Sequence, residues 1–269
     1  MNPGPDGAAR DLVAVAPGVW VATADRWTTT STLVLGDDGG CLVVDPALTE
    51  AELAGLAAEI DRRGWRVVAG VSTHPHWDHL LGPVAFPAVP HWATPAAAAW
   101  AAAHAHDIRA EAEAELTGPV PAGLSAVTAL DPARPLPWPG PRAELLALPG
   151  HAPGHAGLLL ARARTLLCGD LLSDVEVPLL DLDDAACLTS YRATLAAIEA
   201  LSRAGTVTVV VPGHGGVADG GATLARIAAD RRYLDDLEAG RPSADPRLAD
   251  PWVRAEHDRQ AAHLVPGSP

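Results

Sequence analysis

The alternation of strand-like and helix-like segments predicts a mixed α/β chain folded as one layered domain. Apolar runs with tight-turn glycines open it, helices with capping signals separate the later strands, and no long linker divides the 269 residues. The domain is expected to span residues 12–240. Residues 241–269 are expected to form a partly helical tail packed on or near it.

In chain order, "VAPGVWVATA" and "STLVLGDDGGCLVVDPAL" read as β-strands. Asp38-Gly39-Gly40 joins the second pair, its glycines supplying the positive φ of a tight hairpin. "TEAELAGLAAEIDRRG" follows as a helix, with Thr49 as N-cap, Glu52 as its capping-box partner and Gly64 as the stop. "WRVVAGVST" is the next strand. Thr94 and Pro95 open a second helix through the alanine-rich "AAAAWAAAHAHDIRAEAEAEL", which Gly118 and Pro119 end. Prolines recur between residues 118 and 142, predicting a surface connection with one short strand near Val127. "AELLALP", "GLLLARA" and "RTLLCGDLL" give three more strands. "CLTSYRATLAAIEALSRAG" is a helix, "TVTVVVPGHG" a buried strand and loop, and "GATLARIAADRRYLDDLEAG" another helix.

The formal charge of -14 sets 33 acidic residues against 19 basic ones, all arginine, and argues against a nucleic-acid partner. The three cysteines, Cys41, Cys168 and Cys187, are odd in number and lie in or beside apolar segments. They suit free thiols in a reducing compartment, and cytoplasmic is the expectation. No apolar run reaches membrane-span length, so no membrane partner is expected. The expected partner is a small-molecule substrate.

The chemistry concentrates in "VSTHPHWDHLLG", residues 71–82, directly behind an apolar strand. In extended backbone, side chains two apart point the same way, so His74 and His76 can converge on one ion. Asp78 and His79 fall beyond the turn, placed to face a neighbouring position, and Pro75 stiffens the loop. Metal-capable residues recur at other strand ends beside glycine: His151 in "ALPGHAPGH", Asp170 in "LLCGDLL", His214 in "VVVPGHGG".

Here the sequence resembles the metallo-β-lactamase-fold hydrolase superfamily over roughly residues 12–220. "HPHWDH" fits its HxHxDH motif, "PGHAPGH", "GDLL" and "PGHG" fit the later motifs in order, and "LVVDP" matches the upstream aspartate strand. The glyoxalase II-like and lactonase-like branches are the nearest in pattern. The resemblance implies a four-layered αβ/βα sandwich with two metal ions at one edge of the paired sheets. It assigns His74, His76 and His151 to the first ion, Asp78, His79 and His214 to the second, and Asp170 as the bridge. Zinc suits such a set, and iron or manganese can occupy the same shell. Asp45 matches the family aspartate that orients a ligand imidazole through its far N–H, and His155 a residue supporting the ligands from behind.

The implied reaction is attack on an ester, thioester or lactone carbonyl by a water held between two ions and lowered in pKa toward neutrality. Asp78 would orient that nucleophile and pass its proton to the leaving group. A mononuclear-iron persulfide dioxygenase and a phosphodiesterase of the same superfamily are the rival readings. The lactonase tyrosine position, three residues beyond the bridging aspartate, is Ser173 here. Arg192 and the arginines after Asp230 are the candidates for holding glutathione carboxylates. Tyr191 reads as core or cleft, and the helix around Trp100, with the tail, is expected to shape an apolar pocket.

Overall fold

A computed structural model describes residues 10–116, 120 and 123–264. Strands β1 (Val13–Ala16), β2 (Val19–Thr23), β3 (Thr30–Leu35), β4 (Gly40–Val44), β5 (Arg66–Val71), β6 (His91–Ala93) and β7 (Thr128–Ala129) form one sheet in that order. Its first four strands are an antiparallel meander, and β4 to β7 pair in parallel. A second sheet has the order β12-β11-β10-β9-β8, built from β8 (Glu144–Ala147), β9 (Ala156–Leu160), β10 (Thr165–Leu167), β11 (Val209–Val211) and β12 (Ala218–Asp219). The helices are α1 (Glu50–Arg62), α2 (Gly82–Ala85), α3 (Pro95–Ala103), α4 (Ala105–Glu115), α5 (Cys187–Arg203), α6 (Gly220–Glu238) and α7 (Pro251–Leu264).

Strand alternation makes the layers. In β4, Leu42 and Val44 point to a core shared with Leu158 of β9, Leu167 of β10 and Val211 of β11, so the two sheets face each other. Cys41 and Val43 point the other way, onto Leu56 and Ile60 of α1. The second sheet does the same in mirror fashion: Leu166 and Val210 leave the inter-sheet core to pack on Leu195 and Ile198 of α5 and Ile227 and Leu234 of α6. The result is helix, sheet, sheet, helix, the sandwich expected from the sequence.

The local signals hold where they are local. Thr49 accepts from Glu52 N, Glu52 closes the capping box, and α1 ends at Arg63 with Gly64 at φ +70°. The single helix expected after Pro95 is instead two. His104 leaves helical geometry at φ -110°, ψ 22°, because its amide and its Nδ1–H both take the Trp100 carbonyl while the two rings stack at 4.2 Å. The expected stop at Gly118 and Pro119 lies outside the described residues. The tail packs into the α5/α6 core through Leu248 and Val253. Gln260 of α7 accepts from Leu180 N (2.8 Å) and donates to Pro178 O (3.1 Å), while Arg247 donates to Ser173 O and Glu176 O (3.0 and 2.8 Å). The C-terminal segment therefore holds the loop that follows β10.

In the last turns of α1, the buried Glu59 carboxylate accepts from Arg62 through two nitrogens (both 2.7 Å) and from Arg63 (2.6 Å), with Arg63 also lying over Trp20 and Trp65. The bonds from Arg62 and then Arg63 hold its pKa down to about 2, against an ordinary 4.5. A carboxyl depressed in the folded state stabilises the fold above its unfolded pKa, and that contribution fades as pH falls through the folded value. The melting-temperature gap between the wild type and Glu59→Gln is therefore full at pH 7 and closes between about pH 4.5 and 2. A gap that persists unchanged at pH 3 excludes this role.

Candidate metal centre

Five loops meet at one edge of the sandwich. The chain leaves β5 as Ser72-Thr73-His74-Pro75-His76 and enters a 3-10 turn, Trp77–His79. Asp45, at the end of β4, ties this loop down: it accepts from Thr73 N (2.9 Å), from the Thr73 hydroxyl (2.6 Å) and from His79 Nδ1–H (3.0 Å). Asp45 sits at φ +47°, the left-handed region that aspartate tolerates better than most residues. Ser72 adds a bond to His79 O (2.7 Å).

The other sheet brings His151 after β8, Asp170 after β10 and His214 after β11. Glycine permits the approach. A Cβ on Gly213 would sit 2.0 Å from Asp170 Oδ1 and 2.9 Å from the His79 ring, and one on Gly150 would strike the backbone of Tyr191. Bonds between the sheets close the edge, from Thr30 to Pro212 O and Gly213 O and from Ala156 N to Thr73 O.

The seven donors form two groups. In the first, His76 Nδ1 lies 3.0 Å from His74 Nε2 and 3.2 Å from His151 Nε2, with Asp170 Oδ2 3.3 Å from His74 Nε2 and 3.5 Å from His151 Nε2. In the second, His79 Nε2, His214 Nε2 and Asp78 Oδ2 stand 3.3 to 3.4 Å apart. Asp170 reaches this group too, Oδ1 to His79 Nε2 at 3.1 Å and Oδ2 to His214 Nε2 at 3.4 Å.

Their protons decide what such a cluster holds. His74 Nδ1 faces the Thr73 hydroxyl, His79 Nδ1 faces Asp45, His151 Nδ1 faces Leu179 O, and His214 Nδ1 faces Trp27 O, at 2.9 to 3.0 Å. These acceptors fix the N–H on Nδ1 in all four rings, so four Nε2 lone pairs converge in a buried space. Facing lone pairs repel unless a cation lies between them. Nitrogen ligands 2.0–2.1 Å from a tetrahedral ion stand about 3.3 Å apart, close to the spacings observed. Asp170 Oδ1, buried without a hydrogen bond, fits the same reading.

Charge tells the same story. Burial opposes charge on His79 and His214, yet Asp170 with Asp78 and Asp45 around the first, and Asp170 with Glu176 around the second, raises both well above the ordinary imidazole value. Burial pushes Asp78 and Asp170 up, but those imidazoles outweigh it and hold both carboxyls well below theirs. His74 and His76 go down, chiefly through burial, His76 to about 3 with His151 beside it. Two carboxylates and two basic imidazoles thus draw positive charge to the centre of the cluster.

Among the remaining residues singled out by the sequence, His155 donates Nδ1–H to Leu148 O (2.9 Å) and packs against the His74 and His151 rings, outside both groups. Tyr191 belongs to the helical core, and Cys168 donates to Leu171 O. Ser173 Oγ accepts from Val175 N and Glu176 N, shaping the loop rather than facing substrate. Arg192 is taken up by Asp235 and Glu238. A cavity of about 620 Å³ opens onto the donors. Trp100 of α3 and Trp252 of α7 both line it, but so do carboxylates the sequence pattern did not mark, so the walls are not simply apolar. Glu111 of α4 and Glu176 come from segments far apart in sequence, with no spacing to announce them.

The sequence model of the metallo-beta-lactamase superfamily matches residues 24–214, which spans Asp45 and all seven donors, and the chain belongs to that superfamily. Among solved structures, it resembles a metallo-beta-lactamase family protein from Thermus thermophilus (TM-score 0.67, 21% identity, 93% of each chain covered). It also resembles a beta-lactamase domain protein from Burkholderia ambifaria (TM-score 0.68, 21% identity, 97% of this chain and 90% of that one). A third structure, solved in a di-iron-bound form, shares 24% identity over 76% of this chain and 96% of its own, at TM-score 0.58. At these identities the likeness shows the fold. No curated protein matches by sequence.

Asp45 gives a test that spares every donor. Asp45→Asn keeps the shape but replaces an acceptor facing His79 Nδ1 with an amide, and metal affinity is expected to fall about 10–100-fold, read by competition with a chromogenic chelator. Unchanged affinity would show that the tether is irrelevant to the cluster.

Proposed function

We propose that this protein is a dinuclear metal-dependent hydrolase acting on an ester, thioester or lactone carbonyl, in the manner of the glyoxalase II-like and lactonase-like members of its superfamily. The observation that carries this is the pair of complete donor groups sharing Asp170: His74, His76 and His151 for one ion, Asp78, His79 and His214 for the other. Such ions supply Lewis-acid polarisation of a carbonyl oxygen and acidify water. Zinc fits the donor set, and the di-iron form of a structural neighbour keeps iron in view.

The chain's own groups do the rest. Asp78 lines the cavity, so its carboxylate is placed to orient an attacking water, take its proton and return it to the leaving group. The tethered Nδ1–H groups keep the four imidazoles in one tautomer throughout. Trp27, Pro153, Glu176 and residues 179–183 wall the cavity over these groups. A single-iron oxygenase would leave three converging donors without a task, and the acidic cleft disfavours phosphodiesters. Three buried free thiols fit a cytoplasmic setting. Among the described residues no helix is long and apolar enough to cross a membrane.

Metal analysis with a hydrolysis screen over esters, thioesters, lactones and phosphodiesters tests the reading. The expected result is two ions per chain and turnover confined to carbonyl substrates, with Asp170→Ala losing both metal and turnover. Full activity in Asp170→Ala overturns the assignment.

A further inference from the structure

His151 follows β8, but the loop after β10 holds its ring. Its Nδ1–H donates to Leu179 O at 2.9 Å, and one residue back Gly150 O accepts from Asp181 N at 3.0 Å. Residues 150 and 151 are therefore docked on the 179–181 segment through backbone and side chain together. That segment belongs to neither sheet and to no helix, so its own polar groups have to find partners elsewhere.

The partner is on α7. Gln260 is 0% exposed, and its amide spans the segment. Oε1 accepts from Leu180 N at 2.8 Å, while Nε2 donates to Pro178 O and to the Tyr233 hydroxyl, both at 3.1 Å. These partners fix which end of the amide is which, because an N–H needs the oxygen and a carbonyl needs the nitrogen. Tyr233 Oη in turn stands 3.1 Å from His257 Nδ1, so the anchor is itself anchored between α6 and α7.

Leu180 N and Leu179 O belong to one peptide. It is trans, so its N–H and C=O point in opposite directions, one to Gln260 and the other to His151. Rotation of that plane would break both bonds at once. The bond at the N–H also makes the carbonyl a better acceptor, since hydrogen bonds in a chain polarise one another. Resting on the hydrolase reading above, we infer that Gln260 is a positioning residue for His151, acting through the Leu179–Leu180 peptide to aim Nε2 at the donor group of His74, His76 and Asp170. The other group hangs elsewhere, His79 from Asp45 and His214 from Trp27 O. Gln260 also lies beyond residues 24–214, the stretch matched to the superfamily, so the support comes from this chain's own tail.

Protein labelled with 15N-histidine, metal-free and zinc-loaded, tests this. A ring N–H proton in a strong hydrogen bond resonates downfield. Gln260→Met keeps the length of the side chain and removes both polar atoms. It is expected to move the His151 Nδ1–H resonance upfield and to leave that of His79 in place. Stepwise zinc affinity, read by competition with a chromogenic chelator, is expected to fall about tenfold in one step and not in the other. Tyr233→Phe removes only the hydroxyl behind Gln260 and serves if the first variant folds poorly, with a smaller shift expected in the same direction. An unmoved His151 resonance overturns the inference, and so do zinc steps that fall equally, as in a merely loosened fold, or not at all. Fewer than two zinc ions in the wild type would instead count against the hydrolase reading, and the His151 resonance of the metal-free protein then decides this one.

Discussion

Four imidazole rings in this molecule have their Nδ1–H groups assigned to fixed acceptors, and their Nε2 atoms meet in a buried space around the carboxylates of Asp78 and Asp170, which favour positive charge there. The arrangement is favourable when positive charge fills the centre, so ions bound there would be thermodynamically linked to the fold: binding them would contribute to folding, and losing them would weaken the edge of the sandwich. Two carboxylates alone, in water, would not demand this. Burial makes the demand, because the low-polarity surroundings leave no solvent to screen facing dipoles.

Everything else at that edge serves the convergence. Two sheets stacked through Leu42, Val44, Leu158, Leu167 and Val211 bring strand ends from distant parts of the chain to one rim. Asp45 then sets the angle of the first loop, and the absence of side chains at Gly150 and Gly213 lets the others close on it. The two sheets are bonded to each other across the rim itself, through Thr30 and Ala156, so the donors contributed by one sheet are held in register with those of the other.

How much of this could be read from residues alone follows from how local each cause is. The capping box of Thr49 and Glu52 spans four residues and is visible as a pattern. His151, Asp170 and His214 are visible because each ends an apolar run beside glycine, and His74, His76, Asp78 and His79 because they crowd into six positions directly behind a strand. The break at His104 was hidden, since alanine on both sides favours helix and the competing bond is made by one imidazole to one carbonyl. The carboxylates of the cleft were hidden for a different reason. Glu111, Glu176 and Glu256 belong to a helix, a loop and a tail separated by dozens of residues, and only the assembled surface shows that they share a wall.

The loop bearing Glu176 hangs from Arg247 and Gln260 by backbone carbonyls and an amide, and His151, though it follows a strand of the second sheet, is tied to the same loop through Leu179 O. The C-terminal segment thus supports a wall of the cleft and one candidate ligand together. A change in the last few dozen residues would reach the orientation of the His151 ring as well as the shape of the opening above it.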